Sequence, residues 1–258
     1  MESTKKIRLI VSDIDKTLLR DDKTISTYTL DILARCRAKG IATALATGRP
    51  RQAMGKILEQ FTPDYIIADN GGYVFYGDEL LYQARFPQEL KRRMIQAFLD
   101  SPAVHCVGME CTDHLLCNHP QPELFAEWHF VFCDFKPVPE APTAKLAIEC
   151  EDWQAARDLM VPFPDCALYS NTGEAWHQIV MKDCTKPAGI RIVAERLGLT
   201  MDNVVAFGDD YNDITMLTEV GTGVAVANAI APVKEAADEI CGGNNEDGLA
   251  RWLAENVL

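Results

Sequence analysis

Short apolar runs alternate with helical segments over the first 80 residues, and this alternation constrains the fold more than any other feature of the chain. The runs are rich in β-branched residues, which indicates buried strands. The first helix begins after its predicted N-cap Ser26, carries Leu30, Leu33 and Ala34 on one face and ends at Gly40. The order of elements predicts a parallel sheet with right-handed crossovers. The predicted strands are residues 7–11, 41–46 and 65–68, and the second helix is 51–60.

A different kind of sequence interrupts this pattern between about residue 80 and residue 182. Prolines, aromatics and cysteines become frequent, and two strand-like runs at 145–149 and 178–181 flank a helical stretch at 153–160. The alternation then returns with a helix that Thr185 caps. We therefore predict an α/β fold, a doubly wound parallel-sheet core with an inserted α+β domain. The predicted boundaries are 1–82 and 183–258 for the two parts of the core and 83–182 for the insertion.

Two aspartates, Asp13 and Asp15, follow the first predicted strand. Open α/β sheets bind ligands at the carboxyl ends of their strands. Residues two positions apart in an extended segment point the same way, so the two carboxylates can act together. One could attack an electrophile while the other moves a proton.

Other strand and helix ends carry groups that suit phosphoryl transfer. Carboxylate oxygens suit Mg²⁺, which also accepts substrate phosphate. A hydroxyl, backbone amides at a turn and a lysine suit the phosphoryl group itself. The residues are Thr47 and Gly48 after the second strand, Lys186 at a helix start, and Asp209, Asn212 and Asp213 after a later strand.

These motifs, in this order, resemble the haloacid dehalogenase superfamily of phosphohydrolases, and within it the Cof-type branch with a type IIB α/β cap. The resemblance covers nearly the whole chain. The motifs are D-I-D-K-T-L at 13–18, A-T-G-R-P at 46–50, D-N-G-G at 69–72, K-D-C-T-K at 182–186, G-D-D-Y-N-D at 208–213 and N-E-D-G-L-A at 245–250.

The resemblance implies a role for each site residue. Asp13 would be the nucleophile that forms an aspartyl phosphate, and Asp15 the general acid and base. Mg²⁺ would be held by Asp13, the Asp15 carbonyl and Asp209, and Asp213, counted with the metal residues, would orient this shell together with Asn212, directly or through water. The implied phosphate- and substrate-binding residues are Thr47, Gly48, Arg49, Lys186 and Asn212, of which Thr47 and Lys186 are also counted as catalytic.

Three positions leave alternatives open. The family usually has glycine after the second aspartate, where this chain has Lys16, and we expect lysine to fit there if its φ is negative. Arg49 could reach a substrate or the cap, or could pair with a surface acid. The turn at 69–72 is interpreted as structural first and as a substrate contact second.

The resemblance implies a Mg²⁺-dependent phosphatase of a small phosphorylated metabolite, most simply a sugar phosphate. Alternatives are a phosphatase of a cofactor precursor, such as pyridoxal phosphate or a flavin nucleotide, a phosphomutase, and a non-catalytic binding protein on the same fold. Candidate specificity residues in the cap are His105, Glu110, His114, Trp176 and His177.

Composition excludes several other classes. The net charge of −13 disfavours nucleic acids and anionic membranes as partners. No apolar run is long enough for a transmembrane helix or a signal peptide, so we expect a cytoplasmic protein. We expect this protein to be a monomer or a homodimer. The nine cysteines are expected to be reduced and mostly buried, and a zinc site among residues 106–119 is the weaker interpretation.

Overall fold

A parallel sheet carries the acidic motifs. The structure, a computed structural model, describes residues 6–119, 130–170 and 175–258. The chain divides into two units. The first contains the chain up to Arg49, Met54–Tyr82 and Thr185–Leu258, and the second contains Pro50–Ala53 and Gln83–Cys184.

The strands and helices are numbered in chain order. The strands are β1 (Leu9–Ser12), β2 (Ala42–Ala46), β3 (Tyr65–Ala68), β4 (Tyr73–Tyr76), β5 (Glu79–Gln83), β6 (Cys106–Glu110), β7 (Leu115–Cys117), β8 (Phe130–Phe132), β9 (Lys145–Glu149), β10 (Cys166–Ser170), β11 (Trp176–Met181), β12 (Val204–Gly208), β13 (Thr222–Ala225) and β14 (Glu239–Ile240). The helices are α1 (Thr27–Ala38), α2 (Gly55–Gln60), α3 (Gln88–Leu99), α4 (Trp153–Met160), α5 (Lys186–Arg196), α6 (Ile214–Glu219), α7 (Ala231–Ala236) and α8 (Gly248–Asn256).

The sheet of the first unit has the strand order β14-β13-β12-β1-β2-β3-β4-β5. Neighbours from β14 to β3 are parallel, as predicted, and β4 turns back antiparallel to β3. The sequence analysis missed β4 and β5, because a hairpin has no helix between its strands and so does not extend the strand–helix alternation.

Helices cover both faces of this sheet. Leu9 and Val11 of β1 belong to a core that includes Ile190 of α5 and Met216 of α6. On the other face, the Phe207 ring meets Trp252 of α8 edge-on, with the centroids 5.5 Å apart. The predicted doubly wound α/β core is confirmed, and burial on both faces explains why Leu9, Ile10 and Val11 of β1 are all apolar.

Helix α1 begins where the sequence predicts, but it buries a different face. The Ser26 hydroxyl accepts a hydrogen bond from the Thr29 amide, as an N-cap does. The buried positions are Thr29, Ile32, Leu33 and Cys36, whereas Leu30 is half-buried and Ala34 is exposed. The helical stripe runs through threonine and cysteine, which the apolar pattern did not count. The predicted second helix is also shorter, because residues 51–54 form a 3₁₀ turn before α2.

The second unit has its own sheet and core. Its strand order is β10-β11-β9-β6-β7-β8. Phe98 of α3, Ala156 of α4 and Leu146 of β9 are buried in one cluster. Both β9 and α4 have the predicted bounds, which supports an α+β unit. In the described residues, no helix is long and apolar enough to cross a membrane.

Candidate active site

The carboxyl ends of three neighbouring strands bring the predicted site residues to one edge of the sheet. Asp13 directly follows β1, and its amide donates to the Phe207 carbonyl over 2.9 Å. Thr47 directly follows β2, and its amide donates to the Ile67 carbonyl over 2.9 Å. Asp209 directly follows β12. Because these strands are parallel, their last residues share one edge.

Lys186 lies between two of the aspartates. Its ammonium donates to Asp13 Oδ1 over 2.7 Å and to Asp213 Oδ1 over 2.6 Å. Lys186 is the first residue of α5, whose N-cap Thr185 accepts a hydrogen bond from the Ala188 amide. All three charged residues are at least nine-tenths buried, which makes their mutual neutralisation a condition for the fold.

Burial shapes the electrostatics of this group. Burial raises the pKa of Asp13 well above its usual range, and Asp213 and Asp209 add to the rise while Lys186 opposes it. Burial also raises the pKa of Asp209 to about 6. Burial disfavours the charged form of Lys186, but Asp13 and Asp213 outweigh that effect and raise its pKa. Three carboxylates face one ammonium, an excess of negative charge that suits a cation.

The same carboxylates fit a divalent metal ion. Oxygens of Asp13, Asp209 and Asp213 lie within 4.8 Å of one another. Both oxygens of Asp213 already accept hydrogen bonds. Oδ1 accepts from the Lys186 ammonium, and Oδ2 accepts from the backbone amides of Asp209 at 3.0 Å and Asp210 at 3.2 Å. Within the described residues, Oδ2 of Asp13 and Oδ2 of Asp209 accept no hydrogen bond. The donor set therefore fits a hard cation held by Asp13 and Asp209, with Asp213 fixing the loop behind them.

Asp15 is held by two cations. Arg49 donates from Nε to Oδ2 over 2.6 Å and from Nη2 to Oδ1 over 2.8 Å, and Lys23 donates to Oδ1 over 2.9 Å. Burial alone would raise the pKa of Asp15, but Arg49 and Lys23 outweigh it and hold the pKa below its usual range. Asp15 is thus a carboxylate here. Of the alternatives for Arg49, the structure shows pairing with an acid, and the acid belongs to the site.

The turn that follows β3 holds the neighbouring loops. The Asn70 amide donates to the Thr47 carbonyl over 2.9 Å, and the Asn70 side-chain oxygen accepts from Asn212 Nδ2 over 3.1 Å. A Cβ on Gly48 would lie 3.3 Å from Nδ2 of the Asn70 side chain, so this side chain packs closely on Gly48. Thr47 Oγ1 accepts from the Arg49 amide over 3.1 Å. The structure thus links Thr47, Gly48 and Asn212 through Asn70, in line with the structural interpretation of this turn.

The backbone conformation of Lys16 differs from the one that the sequence analysis expects. Its φ is +57°, in the left-handed region, and not negative as expected. Asn228 donates from Nδ2 to the Lys16 carbonyl over 2.7 Å, a bond that holds this backbone conformation. The side chain of Lys16 is exposed.

Two residues at the site have no role in the sequence analysis. Thr17 donates its hydroxyl to Asp209 Oδ1 over 2.7 Å. Its position four residues after Asp13, in the first motif, was the available signal. Lys23 pairs with Asp15 across a turn in which Lys23 has φ +64°, and no pattern in the sequence indicates that contact.

The second unit places two of the predicted cap residues in internal contacts. Glu110 pairs with Lys145 over 2.9 Å, and both side chains are at most 5% exposed. His177 is buried and contacts the Ser170 hydroxyl. The distance between His177 Nε2 and the Cys150 carbonyl oxygen is 2.8 Å. These contacts give both residues a structural role within the unit.

Comparisons with known proteins agree with this geometry. The family model described as haloacid dehalogenase-like hydrolase matches residues 10–253. The 5-amino-6-(5-phospho-D-ribitylamino)uracil phosphatase YitU of Bacillus subtilis (strain 168) is 28% identical, over 96% of this chain and 96% of that protein. The pyridoxal phosphate phosphatase YbhA of Escherichia coli (strain K12) is 28% identical, over 97% of this chain and 99% of that protein.

The solved structures give the same fold. The subclass IIB sugar phosphatase BT4131 superimposes with a TM-score of 0.84 at 24% identity, over 96% of this chain and 98% of that chain.

Proposed function

This chain belongs to the haloacid dehalogenase-like hydrolases, and from that premise we propose that it is a Mg²⁺-dependent phosphatase of a small phosphorylated metabolite. The observation that carries the proposal is the buried group in which Lys186 bridges Asp13 and Asp213 beside Asp209. An oxygen of Asp13 remains available while its other oxygen is held, as a carboxylate nucleophile requires.

Each residue has a part in the proposed reaction. Asp13 Oδ2 attacks phosphorus and forms an aspartyl phosphate, and Lys186 restrains the charge on Asp13 and on the phosphoryl oxygens. Thr47 and the Gly48 amide bind phosphoryl oxygens. Asp15 gives a proton to the leaving oxygen and later takes one from water.

A bound Mg²⁺ would neutralise the phosphate and be held by Asp13, Asp209 and the Asp15 carbonyl. Asp213 would support this set from behind, because both its oxygens already accept hydrogen bonds.

Asp15 must change partners during this cycle. As an acid it needs a proton, yet Arg49 and Lys23 stabilise its charged form. We therefore propose that substrate binding draws Arg49 away from Asp15 toward the substrate, which is the substrate-binding role expected of Arg49.

The proposed substrate is a sugar phosphate or a similar polyol phosphate. The relative YitU is named for a substrate that carries its phosphate on a ribityl chain, and YbhA for pyridoxal phosphate. The second name keeps a cofactor-precursor phosphate as the alternative.

The test is phosphate release from a panel of sugar phosphates, pyridoxal phosphate, a flavin mononucleotide and p-nitrophenyl phosphate. We expect release with Mg²⁺, loss of release with EDTA, and loss in Asp13→Asn with the fold retained by circular dichroism. Release that survives in Asp13→Asn would contradict the nucleophile. An inactive wild-type protein across the whole panel would contradict the proposed function.

A further inference from the structure

The last motif of the chain, at residues 245–250, has no role in the proposed chemistry, although its side chains contact Arg20 and Asp21, a few residues after Asp15. The structure connects this region to residues 15–24, which we call the acid/base loop because they begin with Asp15. The connecting side chains are Asn245 and Asp247 of this motif, together with Asn228 and Asn244, which precede it in the sequence. We call these four residues the clasp.

The clasp holds the backbone directly after Asp15. Asn228 Nδ2 donates to the Lys16 carbonyl over 2.7 Å, and Lys16 has a left-handed φ of +57°. Asn228 Oδ1 in turn accepts from the Asn244 amide over 2.9 Å. A non-glycine residue stays in this conformation only where its surroundings fix it, and such residues cluster at functional sites.

The clasp also holds the far side of the loop. Asn244 is 5% exposed and donates from Nδ2 to the Leu19 carbonyl over 3.0 Å and to Asp21 Oδ1 over 3.1 Å. Asn245 donates to Asp21 Oδ2 over 2.9 Å and accepts from the Asp21 amide over 3.1 Å. A side chain that both donates to and accepts from one residue fixes its position and its orientation.

An ion pair closes the connection. Arg20 Nη2 lies 2.8 Å from Oδ1 and 2.8 Å from Oδ2 of Asp247, whose side chain is 11% exposed. Asp247 is itself left-handed, with φ +59°, at the start of α8. The pair thus attaches the acid/base loop to the helix that packs on Phe207 of the central sheet.

We propose that Asn228, Asn244 and Asp247 are positioning residues for Asp15 and hold its carboxylate within reach of the leaving-group oxygen. This inference rests on the proposed function. Asp15 lies between a fixed point at Asp13, whose amide is bound to β12, and a second fixed point at the Lys16 carbonyl. Without the second point, the backbone after Asp15 loses its hydrogen bond to Asn228, and the acid is held less firmly than the nucleophile.

The test separates proton donation from stability by the leaving group. A sugar phosphate expels an alkoxide that needs a proton, whereas p-nitrophenyl phosphate expels a stable phenolate that needs little help. In Asn228→Ala and Asp247→Asn we expect kcat/KM for the best sugar phosphate of the panel to fall about tenfold or more, and kcat/KM for p-nitrophenyl phosphate to fall less than about threefold. Asparagine tolerates the left-handed backbone at position 247, so Asp247→Asn removes charge without adding strain.

The matched control is Asp64→Asn. Asp64 also pairs with an arginine, Arg37 at 2.7 Å, but it precedes β3 at the opposite edge of the sheet. It should lower both kcat/KM values equally or not at all. The thermal unfolding transition of each variant is measured first, and the assays are run below it. If Asp247→Asn does not fold, the test uses Asn228→Ala.

The possible outcomes are distinct. A selective loss with the sugar phosphate supports the clasp. Equal losses with both substrates, or no loss, overturn this inference and leave the proposed function standing. A wild-type protein that releases phosphate from neither substrate overturns the proposed function and the inference with it.

Discussion

At the scale of single residues, Lys186 is the group on which the site depends most. Its ammonium touches the carboxylates of two buried residues, and its own side chain is fully buried. A buried charge left without its partner costs far more than a surface pair contributes. Lys186 therefore serves the stability of the folded protein as well as the proposed reaction.

We expect Lys186→Met to lower the free energy of unfolding by about 3–5 kcal/mol at pH 7, because Asp13 and Asp213 would face each other unpaired. The loss should be smaller at pH 5, because the raised pKa of Asp13 lets that carboxylate take up a proton more readily there. Urea denaturation at both pH values measures this. The control is Lys23→Met, whose side chain is 59% exposed, with an expected loss below about 1 kcal/mol. Equal losses in the two variants would contradict the prediction.

The raised pKa of Asp209 gives the metal-free protein a specific pH dependence. Its carboxyl binds a proton below a pKa of about 6 in the folded state, against about 4 in the unfolded chain. Between these values the folded state binds more protons, so its stability falls as pH rises from about 4 to about 6. Across this range Asp209 lowers the free energy of unfolding by about 3 kcal/mol, at 1.36 kcal/mol for each unit of difference between its folded and unfolded pKa.

The measurement is urea unfolding in EDTA at pH 4.5 and pH 7 for the wild type and for Asp209→Asn. We expect the variant to gain stability relative to the wild type at pH 7 and little at pH 4.5. Added Mg²⁺ should stabilise only the wild type at pH 7. A variant with the same difference from wild type at both pH values would contradict the assigned pKa.

The sequence predicts site residues well where they lie at strand ends. Asp13 and Asp209 follow strands that the apolar pattern defines, so their convergence follows from topology. The left-handed φ of Lys16 was not predictable in this way, because Asn228, 212 residues away in sequence, holds it. The contact of Lys23 with Asp15 depends on a turn conformation that charge and hydropathy do not encode.

At the scale of elements, the start of α5 depends on its close approach to the turn after β3. Gly71 has φ +102°, and a Cβ there would lie 2.1 Å from the Thr185 carbonyl oxygen. A Cβ on Gly189 would lie 2.4 Å from Cγ2 of Ile67, the β3 residue two positions before this turn. Both glycines let the helix lie near enough for Lys186 to reach Asp13.

We expect Gly71→Ala to destabilise the protein by about 2–4 kcal/mol, from a backbone clash and an unfavourable φ. Because the start of α5 must move, phosphatase activity should fall as well. Gly77→Ala is the control: its φ is +54°, but a Cβ there meets nothing within 4 Å. Gly77→Ala therefore tests an alanine at a positive φ without a backbone clash. Similar stability and activity in the two variants would contradict the close-approach argument.

Elements were predictable where one period dominates. The strands β1, β2 and β3 and the helix α4 were recovered because buried runs and amphipathic stretches differ clearly in pattern. The face of α1 was misassigned, since Thr29 and Cys36 complete a stripe that apolar residues alone do not show. The hairpin β4–β5 was missed, because its short strands continue the sheet without a crossover.

At the scale of the whole molecule, the inserted segment contains everything that a folding unit needs. Its sheet runs from β10 to β8, and its helices α3 and α4 come from the same continuous stretch. Its core cluster includes Phe98, Leu146, Ile148 and Ile179, which are fully buried. The proposed cap boundaries of 83–182 lie within two residues of the segment Gln83–Cys184.

We therefore expect residues 83–184 to fold when expressed alone. The fragment should give a far-ultraviolet circular dichroism spectrum of mixed helix and strand and one cooperative thermal transition, since its core is self-contained. A fragment of residues 83–160 is the matched control. It keeps α3 and α4 but lacks β10 and β11, and β11 is the strand that joins β10 to β9. That fragment should show no cooperative transition, because β9 loses a neighbour and Ile179 leaves the core. Absence of cooperative unfolding in 83–184 would mean that this segment folds only as part of the whole chain.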